Sequence, residues 1–527
     1  MTQRDLPAHQ RSALGRSTLG DQLRRHAKNQ PGKVAFVAFG ADGTRTAVTY
    51  GELDARANRA AHVLLGQGVA RGDRVAMLAR NRVDVVAVYY GALKIGATFT
   101  VVNPLFKPGE IRGQLEHAEP RVLVATHDLV PATAGALEGL PVVALDLDGD
   151  SEGWTSWSAL EAAAPSTEPE CDVDENDVAM LVYTSGTEAS PKGVLIPHRN
   201  YLTSTAPAWS WGLRTGPDDV WLFVMPFFTI AGLGSMTTLT MMGATLVLPA
   251  AVDPDTALRI VRDEGVTVIA QTPTFYLALA QHPDFGPDAV GQVKRCMTYG
   301  GQMTPTTIEA WSKASPDVVW GTYWGQSELS QLGTVGWFKT LDDIPDGDPT
   351  WIGRPVTHLE VRVVGPDGQD ADLGELWCRS PSAMLGYFRD DERTAEVFRD
   401  GWVRTGDMVR RDADGNLFFH DRIKDVIKSG GMNVSSQEVE RALMRHPSVL
   451  RAAVVGRADE KWSEAVTAFV IPAPGAQPDP AALVEHCKEH LAPYKVPKAV
   501  LVVPAFPVDP QGKILKRTLR DPAWNPS

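Results

Sequence analysis

Over the first four-fifths of the 527-residue chain, short β-rich runs recur between stretches of helical spacing, and this alternation restricts the fold more than any other feature. The runs lie at residues 74–78, 98–102, 121–125, 142–145, 178–183, 220–225, 244–248 and 266–270. Between the first strands, residues 50–65 place Leu53, Ala57, Ala60, Ala61 and Leu64 on one helical face. Strands interleaved with helices predict layered α/β architecture with largely parallel, buried sheets. Residues 359–380 turn β-rich with a Gly365-Pro-Asp-Gly368 turn, which predicts a small barrel-like subdomain. From about Arg422 the pattern changes to α+β: a helix over 437–446, strands over 451–454 and 464–470, a Pro-rich loop over 471–480, and a helix over 480–491. A chain this long outgrows one hydrophobic core. The expected division is a large domain over 1–421 and a smaller one over 422–527.

The composition is that of a globular protein, 43% hydrophobic and 22% charged, with a net charge of −13. That sign argues against nucleic acid or an anionic membrane surface as principal partner. Cys171, Cys296, Cys378 and Cys487 have no paired spacing, so reduced thiols in a cytoplasmic protein are expected. His486, Cys487 and His490 could share a helix face, but in so charged a segment they read as solvated side chains. The first twenty residues lack the apolar stretch of a signal peptide. The most apolar stretch, 236–252, is interrupted by threonines, Gly243 and Pro249, and is too short to span a bilayer.

The segment Tyr183-Thr-Ser-Gly-Thr-Glu-Ala-Ser-Pro-Lys-Gly-Val194 follows an apolar strand and gathers hydroxyls, two glycines and a lysine. Glycines let backbone N–H groups approach a ligand, hydroxyls donate to phosphate oxygens, and a lysine supplies charge. The spacing from Gly186 to Lys192 is not that of the Walker loop.

This segment is similar to the signature loop of the acyl-adenylate-forming superfamily, which includes acyl-CoA synthetases, luciferases and peptide-synthetase adenylation domains. It departs at Thr187-Glu188-Ala189, where relatives commonly continue Thr-Thr-Gly. Further motifs follow in order. Gly300-Gly301-Gln302 resembles the adenine-packing turn. Tyr323-Trp324-Gly325-Gln326-Ser327-Glu328 resembles the aromatic-Gly-x-Thr-Glu element. Trp402-Val-Arg-Thr-Gly-Asp407 resembles the ribose-binding element, and Asp421-Arg422 through Val434 the interdomain stretch. Pro493 through Lys498 and Asp509 through Lys516 resemble the tail with the catalytic lysine.

The resemblance implies the adenylate-forming fold, with a mobile C-terminal domain, and an enzyme using ATP, Mg2+ and coenzyme A. It implies that Thr184, Ser185, Gly186, Thr187 and Lys192 cradle phosphates, and that Thr187 and Glu328 arrange the metal. Asp407 and Arg422 would contact ribose, Lys424 would be the hinge, and Lys428 to Gly431 would border the pantetheine tunnel. Lys513 would bridge the α-phosphate and the attacking carboxylate. The acid's pocket would involve Phe227, Phe228, Thr229, Tyr299, Met303 and Gly325, with contributions from 271–276 and Leu332. Thr229 stands where relatives commonly have histidine. No basic residue awaits a second carboxylate, so an apolar aliphatic, cyclic or aryl acid is expected. Alternatives are a carrier-protein thiol, an amine or a nitrite-type nucleophile as acceptor, or a nucleotide-binding module without turnover. A homodimer is compatible with the resemblance.

Overall fold

The computed structural model describes residues 15–184, 192–299, 303–429, 432–459, 461–508 and 514–524. They form two compact units. One holds the described chain up to Glu360 together with Arg379–Val403, and the other holds Val361–Cys378 and the chain from Arg404 onward.

The first unit contains two sheets. One orders its strands Gly386–Tyr387, Lys192–Pro197, Val178–Thr184, Thr98–Val102, Arg74–Leu78, Val122–Ala125, Val143–Asp146 and Thr155–Ser156. From Val178–Thr184 onward the pairing is parallel. In the other sheet the central strands Arg295–Thr298, Val268–Gln271, Val220–Leu222 and Thr245–Leu248 are also parallel to their neighbours. Strands covered on both faces need continuous apolar runs, which is why these were visible in the sequence. The run at 220–225 is shorter than expected, since its strand ends at Leu222.

Helices join the two sheets into one core. Val83–Lys94 is buried along its whole length and apolar nearly all round. It approaches Tyr50–Gly66 so closely that a side-chain carbon at Gly91 would lie 2.9 Å from the Ala57 carbonyl oxygen. Its one cation, Lys94, is buried and held by Asp54 at 2.7 Å, Glu168 at 2.6 Å and Asn58 at 2.7 Å. Burying that charge is tolerable only because it is so fully paired. The apolar stretch at 236–252 resolves into the end of the helix Ile230–Met242 and the strand Thr245–Leu248. The buried hydroxyls of Thr237, Thr238 and Thr240 bond to carbonyls four residues back, so the helix satisfies its own polar groups. Among the described residues no helix is long and apolar enough to cross a membrane.

In the second unit the strands Glu360–Val364, Leu373–Arg379, Trp402–Arg411 and Leu417–Arg422 lie side by side in that order. A further sheet pairs Val449–Asp459 with Ser463–Pro472 and adds Ala499–Val502. The helices Ser436–Met444 and Pro480–His490 cover it, burying Val439, Leu443, Leu483 and Cys487 against Val454, Val466 and Val470. Cys487 therefore faces the core while Glu489 and His490 are exposed, so the three residues 486, 487 and 490 do not share a face. All four cysteines are unpaired.

Candidate active site

In the first unit, Val178–Thr184 and Lys192–Pro197 form an antiparallel pair in which Thr184 and Lys192 stand directly opposite one another. The ladder thus sets both sides of the mouth of the Ser/Thr/Gly segment. Ser185, Gly186 and Thr187 lie outside the described residues, as do Gly300, Gly301, Gln302, Gly431 and Lys513. On the strand before the segment, the Tyr183 hydroxyl lies 2.7 Å from Nδ1 of His117. Burial, together with the nearby Arg389 cation, holds His117 below its ordinary pKa, so the ring is neutral at physiological pH.

Lys192 faces a neighbour that sequence reasoning missed. Its Nζ lies 5.5 Å from the centre of the Tyr387 ring, a cation–π distance. Tyr387 sits on the short strand Gly386–Tyr387, opposite Val194. Its hydroxyl donates to Oε1 of Glu328 at 2.7 Å, and the Glu328 carbonyl accepts from Met384 N at 2.8 Å. Tyr387 therefore ties the candidate metal-binding carboxylate to the cation at the mouth of the phosphate segment. No motif could have shown this, because the three residues are far apart in sequence and meet only through strand pairing.

Glu328 lies in the helical turn Ser327–Leu329, which follows the strand Val319–Trp324. The chain then returns through two non-glycine residues of positive φ, Ser330 at 53° and Gln331 at 102°. Such conformations are held only where the surroundings fix them. Asn200 does part of this, donating to Ser330 Oγ at 2.9 Å and to the Ser382 carbonyl at 2.8 Å. Gly325 does the rest, since a side-chain carbon there would fall 1.4 Å from the Gln331 carbonyl oxygen. Ser327 and Trp324 are buried within this loop, and Tyr323 meets Tyr299 edge to face at 6.2 Å. Burial pushes both phenols up, Tyr323 well above the ordinary range, so they act as neutral groups.

The residues expected around the acid have varied surroundings. Phe227 is buried against Phe223, at 5.7 Å between ring centres. Tyr276 is core, its hydroxyl 2.8 Å from the carbonyl oxygens of Ile269 and Met297. Thr229 caps the helix Ile230–Met242: its Oγ1 accepts from Gly232 N at 2.9 Å and donates to the Pro226 carbonyl at 2.9 Å. Met303 is buried and Phe228 half-buried. A small cavity of about 10 Å³ lies among Trp209, Trp221, Met225, Tyr323, Gln331 and Leu332.

In the second unit, Asp407 and Arg422 are directly opposed across the antiparallel strands Trp402–Arg411 and Leu417–Arg422, with 2.6 Å between carboxylate and guanidinium. Asp407 is fully buried. Gln326 and Lys428, expected to touch ligand, are half-buried and exposed. The Lys428 N–H is taken by Glu464 at 2.6 Å. The Lys424 carbonyl accepts from Arg520 at 2.9 Å, and Arg520 also pairs with Asp425 at 2.6 Å.

Close to Lys513 in sequence, Lys516 is an anchor that the sequence did not disclose. Its ammonium is buried, 2.8 Å from Glu440 and 2.6 Å from Ser436 Oγ, and Ser436 in turn bonds to Asp421. Burial opposes its charge, but Glu440 and Asp421 outweigh that and raise its pKa.

With this geometry in place, the comparisons decide the family. A family model described as AMP-binding enzyme matches residues 23–388, and its C-terminal domain matches 438–513. The chain belongs to the AMP-binding enzyme family. Long-chain-fatty-acid–CoA ligase FadD13 of Mycobacterium tuberculosis is 31% identical over 510 residues, covering 95% of this chain and 98% of the relative. Feruloyl-CoA synthase of an Amycolatopsis species is 33% identical over 509 residues, again 95% and 98% of the two chains. ATP-bound MatB from Rhodopseudomonas palustris superposes with a TM-score of 0.84 at 27% identity, over 96% of this chain and 98% of that one. Fold and family are therefore those expected of an adenylate-forming enzyme.

Proposed function

We propose that this AMP-binding enzyme activates a carboxylic acid with ATP and transfers the acyl group to coenzyme A. The observation that carries this reading is the cluster Thr184, Lys192, Tyr387 and Glu328. It puts a cation and a hydrogen-bonded carboxylate beside a segment rich in hydroxyls and glycine. In the first step a carboxylate oxygen attacks the α-phosphorus and pyrophosphate leaves. Lys192 neutralises charge that builds on the departing group, and Lys513 does so between the α-phosphate and the attacking oxygen. Glu328 offers the hard oxygen ligand that Mg2+ takes, with Thr187 as its partner, and the ion would offset phosphate charge. Asp407 accepts from ribose hydroxyls, held for that purpose by Arg422 and by its place on a regular ladder.

In the second step the thiol sulfur of CoA adds to the acyl carbonyl and AMP leaves. Lys428 serves that step, with the turn at Lys424 absorbing the dihedral change between half-reactions. The net charge of −13 and four unpaired cysteines fit a reducing cytoplasm.

Acid-dependent exchange of pyrophosphate into ATP tests the first step, and thioester formation with free CoA tests the acceptor. Exchange without thioester would sink the CoA assignment alone. Lys424→Pro, which fixes φ, is expected to leave exchange intact and to depress thioester formation in single-turnover assays. Equal loss of both would refute the hinge role.

A further inference from the structure

On the helix Pro480–His490 one face belongs to the core and the other does not. Leu483 and Cys487 are buried against the sheet of the second unit, whereas His486 is half-buried and Glu489 and His490 are exposed. Residues three and four apart are neighbours on a helix surface, and their side chains lean toward its N-terminus. Glu489 and His490 therefore both reach back to His486. A ligand atom from each of the three side chains lies within 4.8 Å of the other two. The two imidazole rings meet close to edge-on, with 4.5 Å between their centres.

The surroundings separate this group from ordinary solvated side chains. His486 Nε2 lies 3.0 Å from the Ala442 carbonyl oxygen on the neighbouring helix Ser436–Met444. A carbonyl only accepts, so the neutral ring keeps its proton on Nε2 and leaves Nδ1 as its electron-pair donor. Metal-binding histidines are oriented in this way, by a bond from the other ring nitrogen to a backbone carbonyl. The nearest lysine in the helix does not compete for Glu489: Lys488 pairs with Glu485 at 2.7 Å. His446 lies edge-on to His486 at 5.2 Å, but its Nδ1 accepts from Ser448 N–H at 3.3 Å, so it flanks the group and does not join it. All three side chains also sit in the last turn of the helix, where unpaired carbonyls favour positive charge.

From these residues alone, and independently of the acid-activating function, we infer that His486, Glu489 and His490 form a binding site for one transition-metal dication of the class of Zn2+, Ni2+ or Cu2+. Two imidazoles and one carboxylate suit these ions, whereas Mg2+ and Ca2+ take oxygen ligands. The ligands of a tetrahedral Zn2+ stand about 3.3 Å apart. Rotation of the exposed Glu489 and His490 side chains closes the group to that spacing without any backbone movement. Water completes the coordination, because three protein ligands leave a position open. Leu483 and Cys487 already hold the helix on its sheet, so binding orders only side chains and its entropic cost is small.

The test is calorimetric titration of the metal-stripped full chain with Zn2+, and separately with Ni2+, in excess Mg2+. The expected result is one saturable equivalent that Mg2+ does not displace. His486→Ala and His490→Ala should each weaken it at least about tenfold, since even changes to groups behind the ligands cost 10–100-fold. Glu489→Gln should weaken it as well. Should His486→Ala fail to fold, His490→Ala and Glu489→Gln, both at exposed positions, decide. His127→Ala removes an exposed imidazole that pairs with Asp146 on the first unit, and should leave the titration unchanged. Absence of a saturable equivalent overturns the inference. So does displacement by Mg2+, affinity equal to wild type in the folded histidine variants, or loss of the equivalent in His127→Ala. None of these outcomes bears on acid activation, which pyrophosphate exchange reads separately.

Discussion

The ladder that carries Asp407 and Arg422 and the loop from Trp324 to Gly333 achieve precision by opposite means. On the ladder, regular pairing alone sets two side chains opposite each other, and the backbone needs no unusual angle. In the loop, two consecutive positive-φ residues, a glycine with no room for a side chain and a buried asparagine together hold one short turn. A ladder position survives many neighbouring substitutions, whereas the loop depends on each of its parts.

Four substitutions would break or sharpen that contrast. The largest effect is expected at the ladder opposite Thr184: Lys192→Ala should lower the adenylation rate by about 10²–10³, as removal of one preorganised charge-stabilising donor does. Circular dichroism should be unchanged, and a rate within threefold of wild type would remove Lys192 from the chemistry. Next, Asp407→Asn weakens hydrogen bonds to a charged acceptor worth about 1.5–3 kcal/mol, or about ten- to hundredfold. That loss should appear in kcat/KM for ATP and not in KM for the acid. Gly325→Ala tests the loop. Overpacking of this sort costs about 1–3 kcal/mol in urea unfolding, and the KM for the acid should rise more than that for ATP. An unchanged urea midpoint would show the loop to be softer than its geometry implies. The smallest effect is expected at Thr229→Ala, which removes a helix cap worth about 1 kcal/mol. A change in acid preference larger than that loss would show that Thr229 also acts on the acid.

The same contrast explains what could be read in advance. Buried parallel strands must be apolar throughout, so runs such as Arg74–Leu78 and Thr98–Val102 were visible with their observed ends. Asp407 and Arg422 stand in short motifs of fixed spacing, and the fold sets the two opposite each other. Tyr387, Asn200 and Gln331 were not found. Each acts through contacts with residues distant in the chain, and the angle that aims Gln331 follows from steric neighbours rather than from any propensity of glutamine. Thr229 carries a role that its motif position did not disclose, since its hydroxyl caps a helix end. Lys516 was missed for the same reason as Tyr387, since its partners Glu440 and Ser436 lie on a helix far upstream.

The opposition of Thr184 and Lys192 has a further consequence for how such a chain can change over time. Side chains alternate across a strand, so a shift of one position would turn Lys192 to the other face of the sheet. A slip of the strand pairing by a single residue would therefore misdirect the lysine while leaving every motif letter in place.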